Sequence, residues 1–110
     1  MFREWLDACP PQGSVGTARR QTRCPLATYL GPGWKVHKAT ARYVEPGRFP
    51  GKRGPEVRRV VLPAWARRFV AAVDELPGTG RDGTRRVWPP TALVLLDEVE
   101  GTLALERRRR

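Results

Sequence analysis

Apolar residues recur at helical spacing most clearly between Leu62 and Leu76, where Trp65, Phe69, Ala72, Val73 and Leu76 gather into one stripe. Pro63 suits a first helical position and Pro77-Gly78 ends the segment, so the pattern predicts a central amphipathic helix over 62–76. Arg67 and Arg68 near its start and Asp74 and Glu75 near its end oppose the helix dipole and form no i,i+4 ion pair. Packing, rather than helix propensity, is expected to hold it.

Before this segment, Phe2, Trp5, Leu6 and Cys9 share one helical face, with Arg3 and Asp7 paired on another, and Pro10-Pro11 ends that short helix. Residues 12–23 read as an ordered polar loop with one extended piece around Val15. A second short helix begins at Cys24, with Pro25 at its first position and Leu26, Tyr29 and Leu30 facing inward, until Gly31-Pro32-Gly33 stops it. The period then changes. Trp34 and Val36 alternate on one face and Ala39, Ala41 and Tyr43 on the opposite parity, which implies a bulge or a tight hairpin with its turn between Lys38 and Ala41.

Residues 45–56 form a Pro/Gly/Arg-rich loop, and Val57 to Leu62 reads as a β-branched strand leading into the central helix. Pro77 to Pro90 reads as a second basic loop, long for a compact domain. Thr91 suits an N-cap for a final helix carrying Ala92, Leu95, Leu96, Val99 and Leu103 at helical spacing, although residues 92–99 alone also fit a buried strand. The expected fold is a small α+β domain over residues 1–106, with three to four helices packed on a short two- or three-stranded antiparallel sheet. A basic, frayed tail follows at 107–110. Trp5, Leu6, Leu26, Tyr29, Leu30, Trp34, Val60, Trp65, Phe69, Val73, Leu95 and Val99 are expected in the core.

Composition adds charge to this picture. Among 110 residues, 21 are Lys or Arg and 11 are Asp or Glu, a formal net charge of +10 that suits an anionic partner. Arg107 to Arg110 supply part of it, but the excess persists in the body of the chain. Isoleucine and asparagine are absent and arginine far outnumbers lysine, a pattern that GC-rich codon usage imposes. Codon bias explains Arg in place of Lys; it does not explain the excess of positive over negative charge. No secretory apolar region follows Met1 and no apolar run approaches a membrane span, so the expected location is cytoplasmic, bacterial or phage-derived. Cys9 and Cys24 are expected as free thiols.

Several motifs invite chemistry. Gly78, Gly80 and Gly83 match G-x-G-x-x-G, but a helix precedes them where a phosphate-binding turn needs a strand, so a plain loop is the better reading. Cys24, at a helix start beside Arg20 and Arg23, is a candidate reactive thiol, and with a sole histidine any Cys-His pair must be Cys24 with His37 or Cys9 with His37. A small buried residue is the commoner fate of a free cysteine. Cys9, Cys24, His37 and Asp7 lack any zinc-knuckle spacing, so no metal or other cofactor is expected. Asp97, Glu98 and Glu100 belong to a solvated helix face rather than a catalytic pair.

The two basic loops carry the main functional expectation: Arg48, Lys52 and Arg53 in the first, Arg81, Arg85 and Arg86 in the second, with Phe49 and Trp88 interleaved. Cations would bind phosphates and exposed aromatics would stack on bases, with Arg58, Arg59 and the tail extending the surface. The same residue types serve an acidic partner protein. WL near the start, CPLATYL and LPAWARRFVAAVD together resemble a type of short bacterial open reading frame over Trp5 to Asp74. That resemblance implies a coherent domain and carries no activity or site residue. The expected function is a non-enzymatic binding module contacting nucleic acid, as component or regulator of a nucleic-acid-handling complex. The alternatives are a protein-binding adaptor or inhibitor encoded by a phage or mobile element, and a cysteine-dependent enzyme or redox switch.

Overall fold

The computed structural model describes residues 1–49, 51–78 and 85–109. In chain order the elements are α1 (Phe2–Ala8), β1 (Gly16–Ala18), α2 (Pro25–Leu30), β2 (Trp34–His37), β3 (Thr40–Pro46), β4 (Arg53–Val61), α3 (Ala64–Asp74), β5 (Arg85–Val87) and α4 (Pro89–Arg108). Among the described residues they form an α+β domain with a three-stranded antiparallel sheet ordered β2-β3-β4 and a two-stranded β1-β5 ladder. No described helix is long and apolar enough to cross a membrane.

Local chemistry explains most of the boundaries. Cys24 caps α2, its Sγ accepting from the Ala27 N–H at 3.4 Å, and Pro25 fills the first turn. The phase slip at His37 is the hairpin turn itself: His37 pairs with Thr40, leaving Lys38-Ala39 as a two-residue connection. A second irregularity near Tyr43 and Val44 is a bulge against β4. The expected 45–56 loop is shorter than its composition suggests, because β3 runs to Pro46 and β4 starts at Arg53. Pro46 and Pro55 are tolerated there because ladder bonding at a hairpin end and on an edge strand is incomplete.

Three helix ends differ from expectation. Pro63 is the N-cap of α3, not its first residue, and its carbonyl accepts from Ala66 and Arg67. At α4 the cap is Trp88 and not Thr91. The paired prolines 89 and 90 have fixed φ and need no N–H partner, so they form the first turn and move the start ahead of the polar residue. At the other end α4 continues through Arg108, two residues into the segment assigned to a tail, with Glu106 bound to Arg68 of α3 at 2.8 Å. The 92–99 ambiguity resolves as helix, with Ala92, Leu96 and Val99 buried on one face.

Phe2 is the hub of the aromatic core, with ring centroids 5.0 Å from Phe69, 5.4 Å from Tyr29 and 6.0 Å from both Trp5 and Trp65. Around it pack Leu6, Leu26, Phe69, Val73 and Leu96, all nearly inaccessible. Trp5, Tyr29, Leu30, Trp34, Trp65 and Leu95 are only partly buried at its rim. Val60 departs from the expected core: it is 37% exposed and lines an open apolar cleft between α2 and α3, which do not close over the end of β4. Arg3 does not pair with Asp7 as expected. Its Nη2 lies 2.7 Å from both Asp97 and Glu100, tying α1 to α4.

Gly16 allows β1 to pass close beneath the 19–23 loop. A Cβ there would lie 2.5 Å from the Arg23 carbonyl oxygen, which accepts from the Thr17 N–H at 2.6 Å. This contact holds the Arg19–Arg23 loop along β2, where the Gln21 carbonyl accepts from the Val36 N–H at 2.8 Å. One edge of the larger sheet is thus covered, and β4 forms the other edge.

Candidate functional site

Alternation along the β2-β3-β4 sheet sorts its side chains. Val36 and Ala41 are buried, so Trp34, Tyr43 and Val60 share the inward face, while Lys35, His37, Thr40, Arg42, Arg59 and Val61 point outward. In the ladder Lys35 pairs with Arg42 and Arg42 with Arg59. Three cations therefore stand in one row across three strands, with neighbours about 5 Å apart at the backbone. Like charges directly opposite one another are unfavourable in a sheet. Glu56 partly offsets them, placed by the bulge on the same side: its Oε1 lies 3.1 Å from Arg59 Nη2 and 3.7 Å from Arg42 Nε.

Next to this row the outer face ends at His37 and Lys38. There a cavity of about 240 Å³ is lined by Arg19, Arg20, His37, Lys38 and Asp74 together with the buried Cys24, Val36 and Val70. The Asp74 carboxylate accepts from the Arg19 N–H at 2.9 Å, and the Arg19 guanidinium donates to the Leu76 carbonyl. His37 Nδ1 lies 3.3 Å from Gln21 Nε2.

The structure brings Cys24 and His37, one of the two cysteine–histidine pairings open to the sequence, to one cavity. Burial pushes the Cys24 thiol above its ordinary value, outweighing the hydrogen bonds from backbone N–H groups of α2 that favour thiolate. Among the described residues no group of three or more His, Cys, Asp and Glu could hold a metal ion.

The residues expected to bind a partner are dispersed. Arg48 and Lys52 are exposed in the 47–52 connection, where Phe49 is 62% exposed and the Lys52 ammonium sits 5.9 Å from its ring centroid. Arg53 begins β4 opposite Pro46. Arg85 and Arg86 are not loop residues but part of β5, paired with Ala18 and Thr17, so alternation turns them to opposite faces. Trp88, 39% exposed, caps α4. Arg81, with Gly80 and Gly83, lies outside the described residues. Arg85 sits beside Arg19 through its pairing with Ala18, near the Lys38 end of the sheet. About 20 Å of strand, from Thr40 to Pro46, separates that end from the 47–52 connection. The sheet face, rather than a merger of two loops, links these ends.

Lys35 and Arg42 escaped the sequence analysis because neither belongs to a charge run. Their signal was the hairpin: once the turn is placed at Lys38-Ala39, the register sets Lys35 against Arg42. Comparison of the chain with protein families, curated proteins and solved structures finds no match.

Proposed function

We propose that this chain is a non-enzymatic nucleic-acid-binding module that lays the outer face of its β2-β3-β4 sheet against a phosphate backbone, as part or regulator of a nucleic-acid-handling complex. The observation that carries this reading is the cross-strand row Lys35, Arg42 and Arg59. Three cations set side by side on one sheet face, with Glu56 shared between two of them, make a surface that suits a phosphate backbone. Arg48, Lys52 and the exposed Phe49 at the far end offer phosphate and stacking contacts in continuation of the same sheet. The buried thiol with its raised pKa supports a binding role over a cysteine-dependent one.

The test is binding of fluorescent single-stranded and double-stranded oligonucleotides across a salt series. Arg42→Gln and Arg59→Gln are each expected to reduce the slope of log affinity against log salt by about 0.7–0.9. Arg86→Gln, on the separate β1-β5 ladder, is expected to leave it unchanged. Full affinity and slope in the Arg42→Gln/Arg59→Gln double variant would remove the sheet face from consideration.

One observation favours a protein partner as a second reading. β4 is an edge strand on which Val57 is 51% and Val61 72% exposed, a surface suited to strand addition by another chain. That reading requires no affinity for bare oligonucleotides and loss of a discrete pulled-down partner on Val61→Lys.

A further inference from the structure

The cavity at the Lys38 end of the sheet has a feature that packing does not account for. Lys38 has φ 53° and Arg19 φ 64°, and both border this cavity; among the described residues they are the non-glycine positions with positive φ. Such a conformation disfavours a side chain by about 1–2 kcal/mol. Arg19 has a structural reason for it, since its N–H and guanidinium tie β1 to Asp74 and to the end of α3. Lys38 has none of this kind. It occupies the first position of a two-residue hairpin turn, where glycine is the favoured residue, and among the described residues its side chain makes no hydrogen bond or ion pair. A lysine held at a glycine position with no side-chain hydrogen bond or ion pair among the described residues points to a contact outside the chain.

Charge and size define that contact. Arg20, Lys38 and His37 border the cavity and offer several N–H donors to one anion, which suits the oxygens of a phosphate group. At about 240 Å³ the cavity falls below the usual range for whole small-molecule ligands, about 300–1,000 Å³, and suits a phosphate group with little attached to it. His37, two residues beyond Lys35 on the outer face, links the cavity to the cationic row, while the buried Val36 and Val70 line its inner side.

We propose that this cavity binds a phosphate monoester, and that its source is the terminal phosphate of a nucleic-acid strand lying along the sheet face. The assignment to a strand end rests on the function proposed above; the affinity for a phosphate monoester does not. Arg20, Lys38 and His37 receive the phosphate oxygens, and Asp74, engaged by the Arg19 N–H, keeps the cavity in shape.

His37 is the sole histidine, so its imidazole proton resonances report on the cavity without ambiguity. Inorganic phosphate, added at fixed pH and with ionic strength held by chloride, is expected to shift them saturably in the full chain, whereas chloride alone does not. Lys38→Gly is expected to abolish the saturable shift while leaving the protein folded, because glycine suits the turn better than lysine. Arg20→Gln gives an independent second loss. An equal response to phosphate and chloride, or an undiminished phosphate response in Lys38→Gly, would overturn the site.

A second arm compares one oligonucleotide carrying a 5′-phosphate, a 3′-phosphate or hydroxyls at both ends. One phosphorylated form is expected to bind about tenfold tighter than the hydroxyl form, the scale of one charge-assisted contact, and to lose that advantage in Lys38→Gly. Equal affinity of all three, with salt-dependent binding intact, overturns the strand-end assignment and leaves the sheet-face function standing. A saturable phosphate shift with no oligonucleotide binding does the reverse: it supports the phosphate cavity and removes the sheet-face function, leaving a small phosphorylated compound as the ligand.

Discussion

Replacing Glu56 by Gln separates stability from binding by moving them in opposite directions. The Glu56 side chain is 34% exposed and holds two cations of the outer face, Arg59 at 3.1 Å and Arg42 at 3.7 Å. Partly exposed ion pairs of this kind contribute about 0.3–0.5 kcal/mol each, and the repulsion they offset between cross-strand cations adds a comparable amount. The substitution is therefore expected to lower stability by about 0.5–1.5 kcal/mol at low salt. Screening should remove most of that loss, because the Debye length falls from about 10 Å at 0.1 M salt to about 3 Å at 1 M. Binding should change the other way. A carboxylate about 7 Å from a phosphate in water-like surroundings repels it by about 0.6 kcal/mol, so its removal should raise oligonucleotide affinity about threefold. Urea unfolding at low and high salt gives the first quantity, and fluorescence anisotropy with a labelled oligonucleotide gives the second. A folded Glu56→Gln protein whose affinity is unchanged or weaker would refute the placement of an anionic ligand on this face.

Other outcomes follow from individual residues. Gly101 lies inside α4, is exposed, and an added Cβ would meet nothing within 4 Å, so Gly101→Ala should stabilise the domain by about 0.5–1 kcal/mol in chemical denaturation. Phe69, fully inaccessible and stacked edge-on against Phe2, should cost about 3–5 kcal/mol on truncation to Ala, read as a fall in the urea midpoint; a loss below about 1 kcal/mol would contradict the core described here. Cys24 should alkylate more slowly than the half-buried Cys9 near neutral pH, which mass spectrometry of the labelled peptides can follow. Because the folded-state pKa of Cys24 is raised, the folded state keeps the proton that the unfolded chain releases first. Its contribution to stability is present in full below the ordinary thiol value of 9.0 and is lost as pH rises through the folded value; Cys24→Ala should remove this alkaline loss.

What could be read in the chain by itself was whatever depends on nearby residues. The stripe of α3, the proline and glycine boundaries of α1 and α2, and the parity change at His37 all express local periodicity and turn chemistry, and each corresponds to an element of the structure. So does the α+β class, because alternating and helical periods occupy different stretches. β5 could not be read this way: three residues, Arg85 to Val87, carry no period and become a strand only because β1 lies beside them. Helix against strand over 92–99 was settled by burial of Ala92, Leu96 and Val99 against the rest of the core, and Arg3 chose Asp97 and Glu100 over Asp7 because α4 packs on α1. The candidate site divides in the same way. Net charge and the exposed Arg48 and Lys52 are properties of the sequence. The row Lys35, Arg42 and Arg59 depends on strand register, and the cavity bordered by Arg20, Lys38 and Asp74 joins residues of three separate segments. Composition sets how much positive charge the chain carries; only the pairing of strands decides that three of those charges face the same way in one line.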